Sequence, residues 1–180
     1  MPYQYKREPL SDEEANQLQA VCESFEEKLV VWTLLDTGLR IQELSHLTKA
    51  NILWQEQRLM IYGKGGPYGK QSKRRVIPLT PRVFQLLSHV FAHANEMPFA
   101  KRTAQRLVKK VANRAAIAKP VTPHVLRHTF AVTCLKKGIN PRTLQGLLGH
   151  DRITTTEIYM NLSPEDMIRE FQEKWFTSKV

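Results

Sequence analysis

Residues 51–79 read NILWQEQRLMIYGKGGPYGKQSKRRVIPL, and in this interval the helical pattern of the chain gives way to strands. Its runs NILW, RLMIYG and RRVIPL are rich in Ile, Val, Leu and Tyr, which favour extended backbone. A polar turn at residues 55–57 separates the first two runs, and the basic, glycine-rich loop 64–73 separates the last two. We therefore predict three short strands in one small antiparallel sheet.

Helical signals occupy the chain on both sides of these strands. Ser11 and Glu14 form a capping-box pattern that opens a helix through about residue 23, and an apolar helix over residues 25–37 ends at Gly38. Further helices are expected over residues 41–47 and 103–118. Four capping residues followed by a first-turn proline mark more helix starts: Thr80-Pro81, Thr122-Pro123, Asn140-Pro141 and Ser163-Pro164. The expected fold class is α+β, a mostly helical single domain over residues 1–180 with a small three-stranded antiparallel sheet.

The charge balance favours a polyanionic partner. The chain of 180 residues is 42% apolar and 24% charged, which is ordinary for one globular domain with its own core. Its 27 Lys and Arg against 17 Asp and Glu give a net charge of +10. Binding a polyanion releases condensed counterions, so this excess indicates nucleic acid, although ribosomal proteins and membrane-surface binders share it.

The cysteine and histidine patterns predict a cytoplasmic protein without a metal. Cys22 and Cys134 form neither a disulfide framework nor a zinc spacing, so a reducing interior is expected, nucleoid-associated in a prokaryote or in the host cytoplasm for a virus. The start MPYQYKREPLSDEE is too polar for a signal peptide, and runs such as LVVWTLL are too short to cross a bilayer. The histidine pairs in HVFAH and HVLRH lack an obvious third ligand.

Two motifs hold candidate phosphate-binding residues, and each has an ordinary alternative. In HVLRHTFA, His124 and Arg127 share one face near a predicted helix start, where free amides and the helix dipole suit a phosphate. The alternative is a solvated basic face. In TGLRIQEL, Glu43 is placed to hold Arg40 for a phosphate, although such a pair is more often a surface ion pair.

Two further segments are ambiguous by themselves. GKGGPYGK does not fit a P-loop, because Lys64 and Gln71 stand where glycine and Ser or Thr are required. It suits a basic hairpin tip that enters a DNA groove, or a solvated loop. LLGHDRITTTEIYM places His150 nine residues before Tyr159, where a lone tyrosine usually serves packing.

Taken in order, TGLRIQEL, IYGKG with RRVIPL, HVLRHTFA, LLGH and IYM resemble the motif series of the tyrosine recombinase (phage integrase) family. The gaps are also similar to the family's: 24 residues from Arg40 to Lys64, 23 from Arg127 to His150 and 9 from His150 to Tyr159. The resemblance covers most of the chain, from residue 11 to residue 162. It implies a site-specific DNA recombinase catalytic domain that breaks and rejoins strands by transesterification.

The resemblance assigns the proton transfers of that reaction. Tyr159 attacks the scissile phosphate, forms a 3′-phosphotyrosyl link and releases a 5′-hydroxyl. His124 accepts the tyrosine proton, because a phenol with a pKa of about 10 attacks slowly at neutral pH. Lys64 protonates the leaving 5′-oxygen, with Lys70 and Lys73 as the alternatives in the same loop.

The same resemblance assigns the groups that neutralise charge. Arg40, Arg127 and His150 would donate to the phosphate oxygens, and Glu43 would orient Arg40. This cationic set implies no metal, cofactor or ATP. The alternatives are supercoil relaxation like that of a type IB topoisomerase, which the compact motif spacing disfavours, and a non-catalytic DNA-binding regulator, which the complete motif set disfavours.

Double-stranded DNA is the expected partner. The candidate contacts lie in the basic loop, at the third strand and along the helix near residues 102–114: Lys70, Lys73, Arg74, Arg102, Arg106 and Lys109. Near the C-terminus, SPEDMIREFQEKWF predicts an amphipathic helix with Met167, Ile168, Phe171 and Trp175 on one stripe. In the family such an element packs on a neighbouring protomer, which implies a homo-tetramer on DNA and leaves open a monomer in solution; the alternative is docking on its own core.

The sequence departs from the family pattern at its N-terminus. Typical members carry an N-terminal core-binding domain that clamps the other face of the duplex. Here ten residues precede the predicted first helix at Ser11, so we expect this domain to be absent.

Overall fold

The computed structural model describes residues 8–63 and 74–149, together with Ile168 and Gln172. Its elements are α1 (Asp12–Ala20), α2 (Phe25–Thr37), α3 (Ile41–Ser45), β1 (Ile52–Leu53), β2 (Arg58–Tyr62), β3 (Arg74–Pro78), α4 (Pro81–His93), α5 (Lys101–Arg114), α6 (Pro123–Lys136) and α7 (Pro141–Leu148), with a 3-10 turn at Lys49–Asn51. This is the α+β fold that the sequence predicts. No helix in the described ranges is long and apolar enough to cross a membrane.

Helix α2 lies at the centre of the helical core. Ser24 and Glu27 form a capping box at its start, and Gly38 ends it with a φ of 62°. Leu29, Val30, Val31 and Leu34 are fully buried, and the helix packs against α4, α5 and α6. The chain segment that follows Gly38 and carries Arg40 is therefore anchored on the core.

Gly38 is also the point where three helices meet. A Cβ atom there would lie 2.8 Å from Phe130 Cε1 on α6 and 2.9 Å from Leu148 Cδ2 at the end of α7. Because Gly38 has a left-handed φ as well, any side chain at this position is both strained and obstructed. A glycine is thus required for α6 and α7 to close on the end of α2.

The three strands form one antiparallel sheet in the order β1-β2-β3. Leu59 pairs with Ile77 on the buried face, while Met60 pairs with the exposed Val76 on the other face. Arg75 lies opposite Ile61 and shares the buried face. A charged side chain therefore points into the protein near the start of β3, on a strand face whose other described residues are apolar.

Some predicted helix boundaries are displaced. Helix α1 ends at Ala20 and not near residue 23, because Ser24 takes the extended backbone of an N-cap for α2. Helix α3 ends at Ser45, two residues before its predicted end. Helix α5 covers Lys101–Arg114 and not residues 103–118, and its N-cap Ala100 makes no side-chain capping bond. The predicted helix start at Ser163-Pro164 lies outside the described residues.

Candidate functional site

Arg40 and Glu43 are in direct contact at the start of α3, as the sequence predicts. The Glu43 carboxylate accepts the backbone N–H of Arg40 at 2.8 Å and Arg40 Nη1 at 2.9 Å. The Arg40 side chain is 40% exposed and that of Glu43 only 14%. Glu43 therefore binds both the backbone and the guanidinium of Arg40, while the guanidinium stays accessible from solvent.

Arg75, which lies on β3, binds the same Glu43 carboxylate. Its Nη1 and Nη2 donate to the two Glu43 oxygens at 3.0 and 2.7 Å, and its Nε donates to the Leu147 carbonyl at 2.9 Å. The Arg75 side chain is 7% exposed. Arg75 was not predicted as a site residue from the sequence, although its alternation with Ile77 places it on the inward face of β3.

Arg127 is buried between the ends of α2 and α7. Its Nη1 donates to the Gly38 carbonyl and its Nη2 to the Leu148 carbonyl, the latter at 2.7 Å. It is 7% exposed, so the alternative of a solvated basic face is wrong for this residue. Leu126 is fully buried in the core, whereas His124 is exposed at the first turn of α6.

The two guanidinium groups of Arg75 and Arg127 thus cap the C-terminus of α7. The carbonyls at a helix C-terminus have no partners within the helix, and the helix dipole places partial negative charge there. Leu147 and Leu148 contribute two such carbonyls. The arrangement fixes the end of α7 against β3 on one side and against the α2–α3 connection on the other.

Gly149 continues the chain from this point in a left-handed conformation, with a φ of 65°. A Cβ atom on Gly149 would lie 2.9 Å from Arg75 Cδ and 3.0 Å from Arg75 Nη1. The absence of a side chain therefore lets the Arg75 side chain pack directly on the backbone that leads to His150.

Among the described side chains of this site, positive charge exceeds negative charge. Arg40, Arg75 and Arg127 place three guanidinium groups near the carboxylate of Glu43. Burial favours the neutral form of Glu43, but hydrogen bonds from Arg75 and from the Arg40 backbone outweigh it and keep the pKa of Glu43 below its usual value. Burial, together with the charge of Arg40, lowers the pKa of Arg127 to about 9. Arg127 is still protonated at neutral pH, and an anion in the site would stabilise its charge.

Several predicted site residues lie outside the described part of the chain. These are Lys64, Lys70, Lys73, His150 and Tyr159. Their roles remain the predictions drawn from the sequence. Among the described residues, the structure brings together Arg40, Glu43 and Arg127, and it adds Arg75.

Helix α5 carries a basic exposed face. Arg102, Arg106 and Lys109 are all exposed on α5, whose sequence KRTAQRLVKKVANR contains no acidic residue. Helix α5 packs against α3, the helix that begins after Arg40. Arg74, the remaining described candidate for DNA contact, is exposed at the first position of β3. No group of three or more metal-ligating side chains occurs in the described ranges.

The comparison with known proteins agrees with these motifs. Residues 8–166 match the model of the phage integrase family, and the chain belongs to that family. The tyrosine recombinase XerA of Pyrococcus horikoshii is 30% identical over 92% of this chain and 60% of its own length. The resemblance stated from the sequence is confirmed.

Solved structures give the same result for the fold. A crystal structure of XerA recombinase has a TM-score of 0.78 at 27% identity, over 92% of this chain and 63% of that one. The Tn1549 transposon integrase in complex with transposon right end DNA shares the fold, with a TM-score of 0.65 at 24% identity over 96% of this chain and 67% of that one. This chain therefore spans about 60% of the length of the XerA relative.

Proposed function

We propose that this protein cuts and rejoins DNA strands by transesterification, as the catalytic domain of a site-specific tyrosine recombinase. The observation that carries the proposal is the group of three arginines around Glu43. They come from α6, from β3 and from the connection between α2 and α3. Among the described side chains they leave a positive excess, and the Arg40 guanidinium is accessible from solvent. A phosphodiester supplies the matching negative charge, and membership of the integrase family supports the same assignment.

In the proposed reaction Tyr159 is the nucleophile. Its phenolic oxygen attacks the scissile phosphorus, a phosphorus–oxygen bond to the tyrosine forms, and the bond to the 5′-oxygen breaks. The phenolic proton goes to His124, and the leaving 5′-oxygen takes a proton from Lys64. Since one phosphodiester replaces another, a 5′-hydroxyl can reverse the step and rejoin the strand without ATP.

Arg40 and Arg127 would stabilise the additional negative charge of the pentacovalent transition state. Donors that are already fixed in place need no reorganisation when the charge develops, which makes them effective in catalysis. Glu43 fixes Arg40, and the Gly38 and Leu148 carbonyls fix Arg127. Arg40 is the more exposed of the two, which suits direct contact with the phosphate.

Double-stranded DNA is the proposed partner. The exposed side chains of Arg102, Arg106 and Lys109 provide a basic face on α5, which packs against α3, and the net charge of +10 favours DNA in general. DNA is also the ligand of the Tn1549 integrase, which has the same fold.

We also propose that the protein assembles as a tetramer on DNA. Ile168 lies in a helix, is 58% exposed and belongs to the predicted apolar stripe. Packing on a neighbouring protomer would bury it. Truncation after Leu162 is expected to abolish cooperative assembly in a gel-shift titration, and unchanged cooperativity would contradict the proposal.

The test of the chemistry compares wild type with Tyr159→Phe, which retains the ring and loses only the nucleophilic oxygen. Supercoiled plasmids that carry the DNA flanking the gene are incubated with each protein and then treated with detergent. Wild type is expected to relax the plasmid and to form protein–DNA adducts linked at a 3′-phosphate. Tyr159→Phe should bind the same DNA with the same affinity and form none. Equal adduct formation by the variant would remove Tyr159 from the mechanism.

A second comparison tests the general acid. Lys64→Ala should cleave normal DNA slowly and recover most of its rate when the leaving 5′-oxygen is replaced by sulfur, because a thiolate leaves without a proton. Lys70→Ala and Lys73→Ala are the matched controls in the same loop. Rescue of one of these and not of Lys64→Ala would move the role to that lysine.

A further inference from the structure

Arg75 is buried more deeply than its position near the end of a basic loop suggests. An arginine at 8% exposure must be paired, because an isolated buried charge is expensive. It uses three of its five N–H groups on Glu43 and on the Leu147 carbonyl. The planar guanidinium thus joins β3 to two elements that are far apart in the chain.

One of these elements presents Arg40. The Glu43 oxygens that bind Arg75 are the same atoms that accept the Arg40 backbone N–H and Arg40 Nη1. Without Arg75, the carboxylate would lose the partner that β3 supplies and could turn about its side-chain torsions. Because the Glu43 carboxylate holds the Arg40 guanidinium in its orientation, a turn of the carboxylate would also turn the guanidinium.

The other element leads to His150. Arg75 Nε holds the last turn of α7 through the Leu147 carbonyl, and the rest of the side chain packs on Gly149. His150 is the next residue in the sequence. Arg75 therefore contacts both places from which the family assignment draws phosphate-binding residues.

We propose that Arg75 is a positioning residue for strand cleavage, which sets the orientation of Arg40 relative to the C-terminal end of α7. This proposal rests on the proposed function. The Nη atoms of Arg75 are engaged by the Glu43 carboxylate and its Nε by the Leu147 carbonyl, so Arg75 acts through these groups. Its removal therefore changes how strongly the site stabilises the transition state and not how strongly the protein binds DNA.

The experiment compares Arg75→Met with Arg114→Met. Arg114 makes the matched structural contact, since it also binds a buried glutamate, Glu27, from a distant helix and lies away from this site. Both variants are assayed on a duplex that carries the cleavage position mapped from wild-type adducts. DNA dissociation constants and single-turnover adduct rates are measured at a temperature where each variant is folded by circular dichroism.

Arg75→Met is expected to cleave about 10- to 100-fold more slowly with an unchanged DNA dissociation constant, as a misplacement of about 1 Å can cause. Arg114→Met should cleave at the wild-type rate. If Arg75→Met does not fold, Arg75→Lys takes its place, because one ammonium keeps the charge but cannot span both Glu43 oxygens and the Leu147 carbonyl. A wild-type rate in the folded variant would overturn the role.

Two further readouts separate positioning from a general loss of structure. In an Arg40→Ala background, the Arg75 substitution should cause no further loss of rate, because there is no Arg40 guanidinium left to orient. On DNA with a neutral methylphosphonate at the cleavage position, the loss caused by Arg75→Met should shrink, since less charge needs to be neutralised. An equal loss in both backgrounds and on both substrates would overturn the proposal.

The same assay distinguishes the two proposals. Wild type without adducts on any DNA would overturn the proposed function and, with it, this role for Arg75. Wild type that forms adducts, beside an Arg75 variant that matches it, would overturn only the role of Arg75.

Discussion

Glu27 and Glu43 have the same local setting and different surroundings. Each is the third residue of a helix and accepts the backbone N–H of the residue that caps it. Each also binds an arginine from a distant segment, Arg114 for Glu27 and Arg75 for Glu43. The two sites therefore share one arrangement, in which a nearly buried glutamate at a helix start binds an arginine from a distant part of the chain.

The charge around the two glutamates differs. At Glu27, the cations Arg114 and Lys110 face two carboxylates, Glu27 and Glu23, and the cluster is balanced. At Glu43, three guanidinium groups face one carboxylate, so the described side chains carry a surplus of two positive charges. A balanced cluster serves the fold alone. A surplus held rigidly by its neighbours is what a phosphodiester needs when it gains charge in the transition state.

The largest expected effect follows from removing a cation at the unbalanced cluster. Arg40→Ala should slow adduct formation by about 100- to 1,000-fold, the usual cost of losing one fixed donor to a transition-state oxygen. Its side chain is 40% exposed, so the free energy of unfolding should change by less than about 1 kcal/mol. Single-turnover cleavage and urea unfolding measure the two quantities. A rate loss below tenfold would place Arg40 outside the reaction.

The reverse result is expected at the balanced cluster. Glu27→Gln removes a carboxylate whose side chain is 1% exposed and leaves Arg114 without its main partner. The free energy of unfolding should fall by about 3 kcal/mol, as for other broken buried pairs. The cleavage rate of the folded variant should match that of wild type. Slower cleavage at temperatures where it is fully folded would mean that the two clusters are coupled.

Acid should weaken the fold through these same carboxylates. Hydrogen bonds from Arg114 hold the pKa of Glu27 well below its usual value, and Arg75 and Arg40 lower that of Glu43 despite its burial. A lowered pKa in the folded state gives stability that is complete above the unfolded value of about 4.3 and is lost as the pH falls through the folded value. The urea midpoint of wild type should therefore drop below about pH 4.5. The difference in urea midpoint between wild type and Glu27→Gln should become smaller below that pH. A difference that stays constant with pH would contradict this cause.

The smallest effect concerns a simple anion. Sulfate at matched ionic strength should raise the unfolding temperature of wild type more than that of Arg40→Ala, because it binds the surplus charge. Sulfate also stabilises proteins in general, so Arg114→Met is the control for that contribution. We expect a specific difference of about 1–3 °C in differential scanning fluorimetry. An equal shift in all three proteins would show that the surplus does not bind sulfate.

The sequence predicted the elements better than their contacts. Thr80-Pro81, Thr122-Pro123 and Asn140-Pro141 each open a helix in the structure, because capping residues and a first-turn proline act within a few residues. Thr122 and Asn140 cap through their side chains, whereas the Thr80 side chain makes no capping bond. The start of α5 was misplaced since Ala100 offers no capping group to recognise. Local signals of this kind predict where an element begins and say little about what it touches.

The candidate site shows the limit of local patterns. Arg40 and Glu43 are three residues apart, and their contact could be predicted from spacing alone. Arg75 is 32 residues from Glu43 and 72 from Leu147, and only the packing of β3 against α7 brings these groups together. The burial of Arg127 likewise depends on the ends of α2 and α7, which no pattern within α6 reveals.

The bond from Arg127 to the Gly38 carbonyl joins residues 89 positions apart. During synthesis, a ribosome that has released the chain only through α5 has already exposed Arg40 and the basic face of α5, but α6 is still missing. Such an intermediate lacks Arg127, the α7 carbonyl that Arg127 binds and the α7 carbonyl that Arg75 binds. The arrangement of guanidinium groups around Glu43 is therefore completed only after α6 and α7 have been made.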